Sequence, residues 1–377
     1  MPEMQCNEAV IDGSSEWATP SPRRAVGRDR PPGQLTNIRR LHEPFSPPPG
    51  HPPPHPSTSG GTITGNPSSS RPRRTTARRA ASGHRNGTVT GPLRRGLSRA
   101  YGLGVELAEI RKYPVKSVSG HAVDSAVMEP WGLAEDRRWA VVNDQGDVHW
   151  LGENPRLLSV VATVTDEGGL LINAPGMPPL KVQPATGERV PITFAEVDDV
   201  VLANPEAHAW FTRLLGKPAR LVWLDDPNRC AVPASHGGLP GDVVSLAGDA
   251  PVLLTSRSSL RRLDQWILDG ATERREDPPA PLDMARFRPS LVIDGAPPYA
   301  EDGWREIRIG PITFRVSELC DRCAVTTYDP VTFQKGKEPL RTLARHRRWN
   351  GRTWFGVRLI PRSRGELHLG DPLTVLS

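Results

Sequence analysis

Long apolar runs are missing from this 377-residue chain. No stretch of about 18 apolar residues occurs, so we expect no segment that spans a membrane. The N-terminus has no basic segment followed by an apolar one, which argues against a secretory signal. Cysteine is scarce as well, with four in the whole chain, which excludes a disulfide-rich scaffold. Together these features lead us to expect a reducing, cytoplasmic location.

Residues 1–103 contain no lysine and few Ile, Leu or Phe, while Pro, Arg, Ser, Gly and Thr are abundant. Such a segment buries too little apolar surface to offset the entropy of ordering, so we predict a disordered tail. The tail has 15 arginines against 6 acidic residues, which leaves residues 104–377 with a net charge of −3 in a chain of +6. We therefore expect no specific nucleic-acid partner for the folded part.

The remaining chain reads as a β-rich, mixed α/β fold. Short alternating runs between Gly, Pro, Asn and Asp turn signals suggest a small barrel or sandwich in residues 104–225, followed by a mixed domain in residues 226–377. The patterns predict strands and helices, among them strands at Asp136 to Val142 and Leu157 to Thr165, a helix that follows Asn204, a strand-to-helix junction at Thr255 and Ser256, and a helix from Glu338 to Trp349.

Several polar residues sit where strands end, and their types suit an anion. Lys116 and Ser117 offer an ammonium and a hydroxyl, and Arg137 offers a planar guanidinium that can donate two parallel hydrogen bonds. At the predicted helix start beside Thr255 and Ser256, free backbone N–H groups favour negative charge. Arg288 and Ser290 likewise offer a guanidinium and a hydroxyl to an anion at the start of a predicted strand.

Each of these has a plainer reading. Lys116 and Ser117 could face solvent, Arg137 could pair with Asp136 or Glu135, and Ser256 could simply cap a helix. Arg288 could be a solvated surface charge.

The segment Cys320 to Pro330, with sequence CDRCAVTTYDP, holds two of the four cysteines. Structural zinc would need a second ligand pair, and a thioredoxin-like pair should open a helix, whereas we predict that this one leads into a Val-Thr-Thr strand. Two inert buried cysteines also remain possible. We favour a thiolate on a soft transition metal, with Arg322 lowering the pKa of the thiol.

The same segment resembles the signature C-[ST]-R-C-x-x-T-T-x-D-P of MOSC-domain proteins, and is similar in pattern to the mitochondrial amidoxime-reducing components and their bacterial counterparts. The resemblance extends over about residues 105–377. It includes further motifs in the same order: Tyr113 to Ser117, Asp136-Arg137-x-Trp139, Arg286 to Pro289, Glu338 to Leu343, Phe355-Gly356 and Gly370 to Pro372.

The resemblance implies an N-terminal β-barrel domain plus a MOSC β-barrel domain with peripheral helices. It also implies a molybdenum cofactor (a molybdenum-bound pterin), with Cys323 as the metal ligand and catalytic residue. The positions implied to bind the cofactor are Lys116, Ser117, Arg137, Thr255, Ser256, Arg288, Ser290 and Arg322, together with Cys323. The activity implied is reduction of small N-hydroxylated substrates.

Three departures from the family pattern bear on this expectation. Ser290 stands where many members have Asn, and Asp321 stands where the signature has Ser or Thr. No C-terminal ferredoxin domain follows, so we expect electrons from a separate ferredoxin- or cytochrome-type protein. The alternatives are a sulfur carrier with a persulfide on Cys323, although we expect no pyridoxal-phosphate domain here, and a non-catalytic carrier of the molybdenum cofactor.

Overall fold

The computed structural model describes residues 104–377, and the tail predicted as disordered lies outside these residues. The described part is β-rich, as predicted. Its α-helices are α1 (Pro205–Leu215), α2 (Arg257–Arg274) and α3 (Leu340–His346). None of the three, within residues 104–377, is long and apolar enough to cross a membrane.

The strands of the first half are short. They are β1 (Glu106–Lys112), β2 (His121–Val123), β3 (Ser125–Glu129), β4 (Gly132–Leu133), β5 (Trp139–Val142), β6 (Val161–Val164), β7 (Leu170–Asn173), β8 (Leu180–Val182), β9 (Arg189–Pro191), β10 (Asp199–Leu202) and β11 (Arg220–Trp223). The second half has β12 (Val252–Ser256), β13 (Leu291–Asp294), β14 (Glu306–Ile309), β15 (Ile312–Asp321), β16 (Arg348–Trp349), β17 (Arg352–Pro361), β18 (Gly365–His368) and β19 (Leu373–Val375).

These strands form four sheets. The largest has the order β19-β14-β15-β17-β12-β13-β1-β2, with β16 paired to β17 at the side. The smaller ones are β5-β11-β10-β9, β18-β3-β4 and β6-β7-β8. Two of the four therefore combine strands from both halves of the chain, because β1 pairs with β13 and β3 pairs with β18.

The apolar core also combines residues from both halves of the chain. Leu107 and Ile110 of β1 are fully buried in one cluster with Leu254 of β12 and Leu291 of β13. A second cluster gathers around Trp139 and includes Tyr328 from the far end of the chain. The domain boundary that we predict at residues 225 and 226 stays a prediction, and strand pairing crosses it.

Four predicted elements differ in the structure. The expected strand at residues 157–165 is shortened to β6, because Pro155–Ser159 forms a 3-10 turn that buries both Leu157 and Leu158, which an alternating strand could not do. The expected strand at Asp136 begins only at Trp139. The Asp136 carboxylate accepts a hydrogen bond from the Tyr113 N–H at 2.6 Å, and Arg137 has a φ of 48°, outside strand geometry.

The remaining two differences lie near the paired cysteines. The expected Val-Thr-Thr strand is a 3-10 turn, Ala324–Thr327, in which the Thr326 and Thr327 hydroxyls donate to carbonyl oxygens three residues back. The helix expected over residues 338–349 is shorter, since Arg347 leaves helical geometry and buries its guanidinium against Asp302.

Candidate functional site

One cavity collects most of the residues singled out from the sequence. Its empty volume, including the open mouth, is about 930 Å³. Seven of the nine predicted residues line it: Lys116, Ser117, Arg137, Arg288, Ser290, Arg322 and Cys323. They come from four separate stretches, and the segment that contains Arg288 and Ser290 is more than 150 residues away in the chain from Lys116.

Thr255 and Ser256 are not among the residues that line this cavity, and their role in binding a cofactor stays a prediction. Strand β12 begins at the cavity wall with Val252 and Leu253 and carries its last two residues away from it. The Thr255 hydroxyl lies 3.3 Å from the Met284 sulfur, and Ser256 is the N-cap of α2 without a side-chain capping bond. Both residues are fully buried. The junction was predicted correctly, but the anion contact does not follow from it.

Strand β15 and the turn that follows it place the two cysteines at the cavity. Its register with β17 shifts twice, between Val316 and Glu318 and between Leu319 and Asp321, and such irregularities bend a strand and re-aim its side chains. Cys320 is buried near the end of the strand. Cys323 is half-buried and caps the 3-10 turn that follows. The turn therefore fixes the backbone of Cys323 at the cavity wall.

Arg322 contacts the other cysteine. Its Nη1 donates to Cys320 Sγ at 2.8 Å, and its Nη2 donates to the Phe287 carbonyl oxygen at 2.6 Å. The sequence led us to expect that this guanidinium acts on a thiol of the pair without showing which one, and the hydrogen bond joins it to Cys320. Its Nε is buried and has no hydrogen-bond partner within residues 104–377.

A tyrosine supports two of the cavity's arginines. The buried ring of Tyr113 lies 4.3 Å from the Arg137 guanidinium and 4.5 Å from that of Arg288. Arg137 also pairs with Asp136, as the plainer reading of the sequence predicted, and donates to the Arg288 carbonyl oxygen at 3.1 Å. Tyr113 and Asp136 thus hold the guanidiniums in place.

Three cations of the cavity have no carboxylate partner among the described residues: Lys116, Arg288 and Arg322. The Lys116 ammonium donates to the Leu246 carbonyl oxygen at 3.1 Å, and Arg288 donates to the Val118 carbonyl oxygen at 2.8 Å. Burial, and then the charge of Arg137, lowers the pKa of Lys116 to about 7. Burial lowers the pKa of Arg288 to about 10. This wall of the cavity therefore has positive charge available for an anion.

The opposite charge balance surrounds Arg358, which the sequence analysis missed. This buried guanidinium lines the cavity and pairs with Glu318, with Asp249 at 2.5 Å and with Asp321 at 2.9 Å. His236 Nδ1 lies 2.7 Å from the same Glu318. One signal was present: Arg358 interrupts an otherwise apolar stretch of β17, and a charge buried in a central strand needs partners.

These residues fit a pterin-type molybdenum cofactor. Within residues 104–377 there is no cluster of three His, Cys, Asp or Glu side chains for a bare metal ion. The donors present are a thiol, hydroxyls, uncompensated cations and a buried guanidinium Nε without a partner, which suit one metal bond and an anionic, hydrogen-bonding cofactor.

Comparison with known proteins places the chain in a family. Residues 104–218 match the MOSC N-terminal beta barrel domain, and residues 234–374 match the MOSC domain. The chain is 30% identical over 280 residues to mitochondrial amidoxime-reducing component 1 of Danio rerio, covering 69% of this chain and 82% of that protein. The chain therefore belongs to the family of proteins that combine these two MOSC domains.

A second group of relatives carries a different name. The chain is 31% identical over 269 residues to a molybdenum cofactor sulfurase of Oryza sativa subsp. japonica, which covers 68% of this chain. It spans only about a third, 32%, of that relative's length. Among solved structures, the YUAD protein of Bacillus subtilis matches 71% of this chain at 9% identity with a TM-score of 0.31.

Proposed function

We propose that this protein is a molybdenum-cofactor-dependent oxidoreductase that reduces small N-hydroxylated compounds. The observation that carries the proposal is the cavity in which Cys323 lies together with three cations that lack carboxylate partners. Relatives named amidoxime-reducing components support the reaction type. The balanced reaction is R–NH–OH plus two electrons and two protons, giving R–NH₂ and water.

The residues of the cavity would have separate roles in binding the cofactor and the substrate. Cys323 would supply the thiolate that binds the metal, while Lys116, Arg288 and Arg322 would bind the anionic part of the cofactor, with hydroxyls of Ser117 and Ser290 adding hydrogen bonds. When bound, the cofactor supplies two-electron redox chemistry at molybdenum. The exposed indole of Trp150 and the side chain of Leu151 leave the remaining wall partly apolar, as a small organic substrate requires.

The reaction is tested by turnover of benzamidoxime with reduced methyl viologen as the electron source. We expect benzamidine from the wild type and none from Cys323→Ala, with a smaller loss from Cys320→Ala. Cys230→Ala is the matched control, since Cys230 is buried in a different apolar cluster. No turnover by cofactor-loaded wild-type protein, or equal losses at both cavity cysteines, would contradict the proposed mechanism.

A sulfur carrier is the second candidate, because relatives named molybdenum cofactor sulfurases match the chain at similar identity. In that function Cys323 would carry a persulfide. Mass spectrometry of the intact protein would show one added sulfur on Cys323 without bound pterin, and benzamidoxime would not be reduced. A carrier that binds the cofactor without turnover is a third outcome of the same two measurements.

A further inference from the structure

An exposed tryptophan forms part of the cavity wall. Trp150 lines the cavity and remains 39% exposed, so its indole borders the open side. Phe287, the other aromatic among the described residues that line the cavity, is fully buried. The next residue, Leu151, is buried in the apolar cluster around Trp139. The indole of Trp150 is therefore the aromatic surface that a ligand entering the cavity meets.

The turn that follows Trp150 fixes the position of its ring. Gly152 lies against the six-membered ring: a methyl group on Gly152 would be 2.4 Å from Cη2, 2.5 Å from Cζ3 and 2.8 Å from Cζ2. The Trp150 carbonyl oxygen accepts hydrogen bonds from the Glu153 N–H at 3.1 Å and from the side-chain amide of the buried Asn154 at 3.0 Å. A ligand that covers the exposed part of the ring would lose little entropy in ordering it.

The same turn is joined to the cysteine segment. The Tyr328 hydroxyl donates to the Gly152 carbonyl oxygen at 2.9 Å. Tyr328 comes directly after the 3-10 turn Ala324–Thr327, which Cys323 caps. Tyr328 also belongs to the apolar cluster that contains Leu151. One hydrogen bond and a shared core thus fix the indole relative to the proposed metal ligand.

A fixed indole beside a reaction site favours flat, conjugated ligands. Offset stacking of two aromatic rings contributes binding beyond the burial of apolar area, whereas a saturated ring gains from burial alone. The basic side chains of the cavity are already assigned to the anionic part of the cofactor, which leaves the indole of Trp150 for the substrate.

We propose that Trp150 is the platform on which the substrate stacks, and that it selects N-hydroxylated compounds whose nitrogen-bearing carbon is attached to an aromatic ring. The inference rests on the proposed reduction and specifies its substrate class. Gly152 is a positioning residue, since its backbone sets where the indole lies. An aliphatic N-hydroxylated compound enters the same cavity without the stacking contact.

The test compares two product amidines that have the same charge and number of carbons, benzamidine and cyclohexanecarboxamidine. Isothermal titration of the cofactor-loaded wild type should give a Kd about three- to tenfold lower for benzamidine. In Trp150→Leu, which keeps apolar bulk without an aromatic ring, the ratio of the two Kd values should fall to about one. Trp150→Phe should retain most of the preference.

Turnover of the two matching amidoximes with reduced methyl viologen gives a second readout. The kcat/KM ratio of benzamidoxime to cyclohexanecarboxamidoxime should fall in Trp150→Leu by the same factor as the ratio of Kd values. The change should lie in KM and not in kcat, because stacking binds the ground state and the transition state alike.

Gly152→Ala tests the position of the ring with the indole still present. The added methyl group collides with ring carbons of a side chain and not with backbone, and Gly152 has no positive φ that would forbid alanine. We expect a folded protein by circular dichroism in which the preference for benzamidine falls toward one. A folded Gly152→Ala with the full wild-type preference would contradict the role of the ring position.

The matched control is Trp349→Leu, since Trp349 is 38% exposed and is not among the residues that line the cavity. Equal binding of the two amidines by the wild type, an undiminished preference in Trp150→Leu, or an equal loss in the control would overturn the proposal. So would a lower pterin content in Trp150→Leu, which would place the indole against the cofactor. A benzamidine preference that depends on Trp150, without turnover of either amidoxime, would refute the reduction and still support the platform.

Discussion

At the scale of single residues, the two cysteines of the cavity have different surroundings. Cys320 is buried and receives a hydrogen bond from Arg322, whereas Cys323 is half-buried at the start of a 3-10 turn. The sequence predicted that both cysteines and Arg322 lie at one site. It could not predict which sulfur receives the guanidinium, because that depends on how β15 bends at its two register shifts.

Lys116 gives a prediction about pH and stability. Folding lowers the pKa of its ammonium from 10.5 to about 7, mainly because the group is buried. The unfolded chain therefore binds more protons than the folded one between about pH 7 and 10.5, and the Lys116 contribution to the free energy of unfolding rises with pH across this window. Below about pH 7 the destabilising contribution is present in full.

Replacing the amine should remove that contribution. We expect Lys116→Met to be more stable than the wild type below about pH 7, with a difference of roughly 1.4 kcal/mol for each pH unit by which folding lowers the pKa of the ammonium. The difference should shrink as pH approaches 10.5. Urea unfolding of the cofactor-free protein at several pH values measures it, with Lys217→Met at an exposed site as control. A pH-independent difference would show that the ammonium is not the cause.

At the scale of elements, the loop after β1 determines the shape of the anion wall. Gly120 packs against the ring of Tyr113: a methyl group there would lie 2.4 Å from two ring carbons and 2.7 Å from the Lys112 carbonyl oxygen. Tyr113 is buried and has the Arg137 and Arg288 guanidiniums against its ring, so it cannot move without displacing them.

Gly120→Ala should therefore disturb both stability and cofactor binding. We expect a loss of about 1–3 kcal/mol in the free energy of unfolding, typical of overpacking a buried site, and a lower pterin content after purification. Denaturation and fluorescence of the released pterin measure the two effects. Gly303→Ala is the matched control, since a methyl group at Gly303 meets nothing within 4 Å. Normal pterin content in Gly120→Ala would show that the ring position is unimportant for binding.

Local signals predicted many elements but not all of their ends. Asn204, Pro205 and Gly216 correctly marked the start and end of α1. The turn after Cys323 was missed because Val and Thr favour strands on average, whereas here the threonine hydroxyls satisfy carbonyl oxygens of the turn. Side-chain hydrogen bonds of this kind depend on the local backbone and do not show in an alternation pattern.

At the scale of the whole molecule, the two matched domains share sheets. Strand β1 forms an interior part of the largest sheet through its pairing with β13, about 180 residues later in the chain. The sequence predicted the β-rich fold class, and seven of the residues it singled out line the cavity. It could not predict these pairings, since alternation specifies that a strand has a buried face but not which strand lies beside it.

This sharing predicts that the second half cannot fold alone. A fragment of residues 226–377 would lack β1 and β2 of the largest sheet and β3 and β4 beside β18, and it would expose the apolar face that Leu107 and Ile110 cover. We expect no cooperative thermal transition from this fragment by circular dichroism, whereas residues 104–377 should unfold cooperatively. A sharp transition in the fragment would contradict the shared-sheet account.

The central claim is that the cavity binds a molybdenum cofactor through Cys323. Its most direct test is the molybdenum and pterin content of protein purified from cells with ample cofactor supply, compared between the wild type, Cys323→Ala and the Cys230→Ala control. We expect the Cys230→Ala control to contain as much molybdenum and as much pterin as the wild type. Cys323→Ala should lose its molybdenum. Wild-type protein without molybdenum, or Cys323→Ala with an undiminished content, would contradict it.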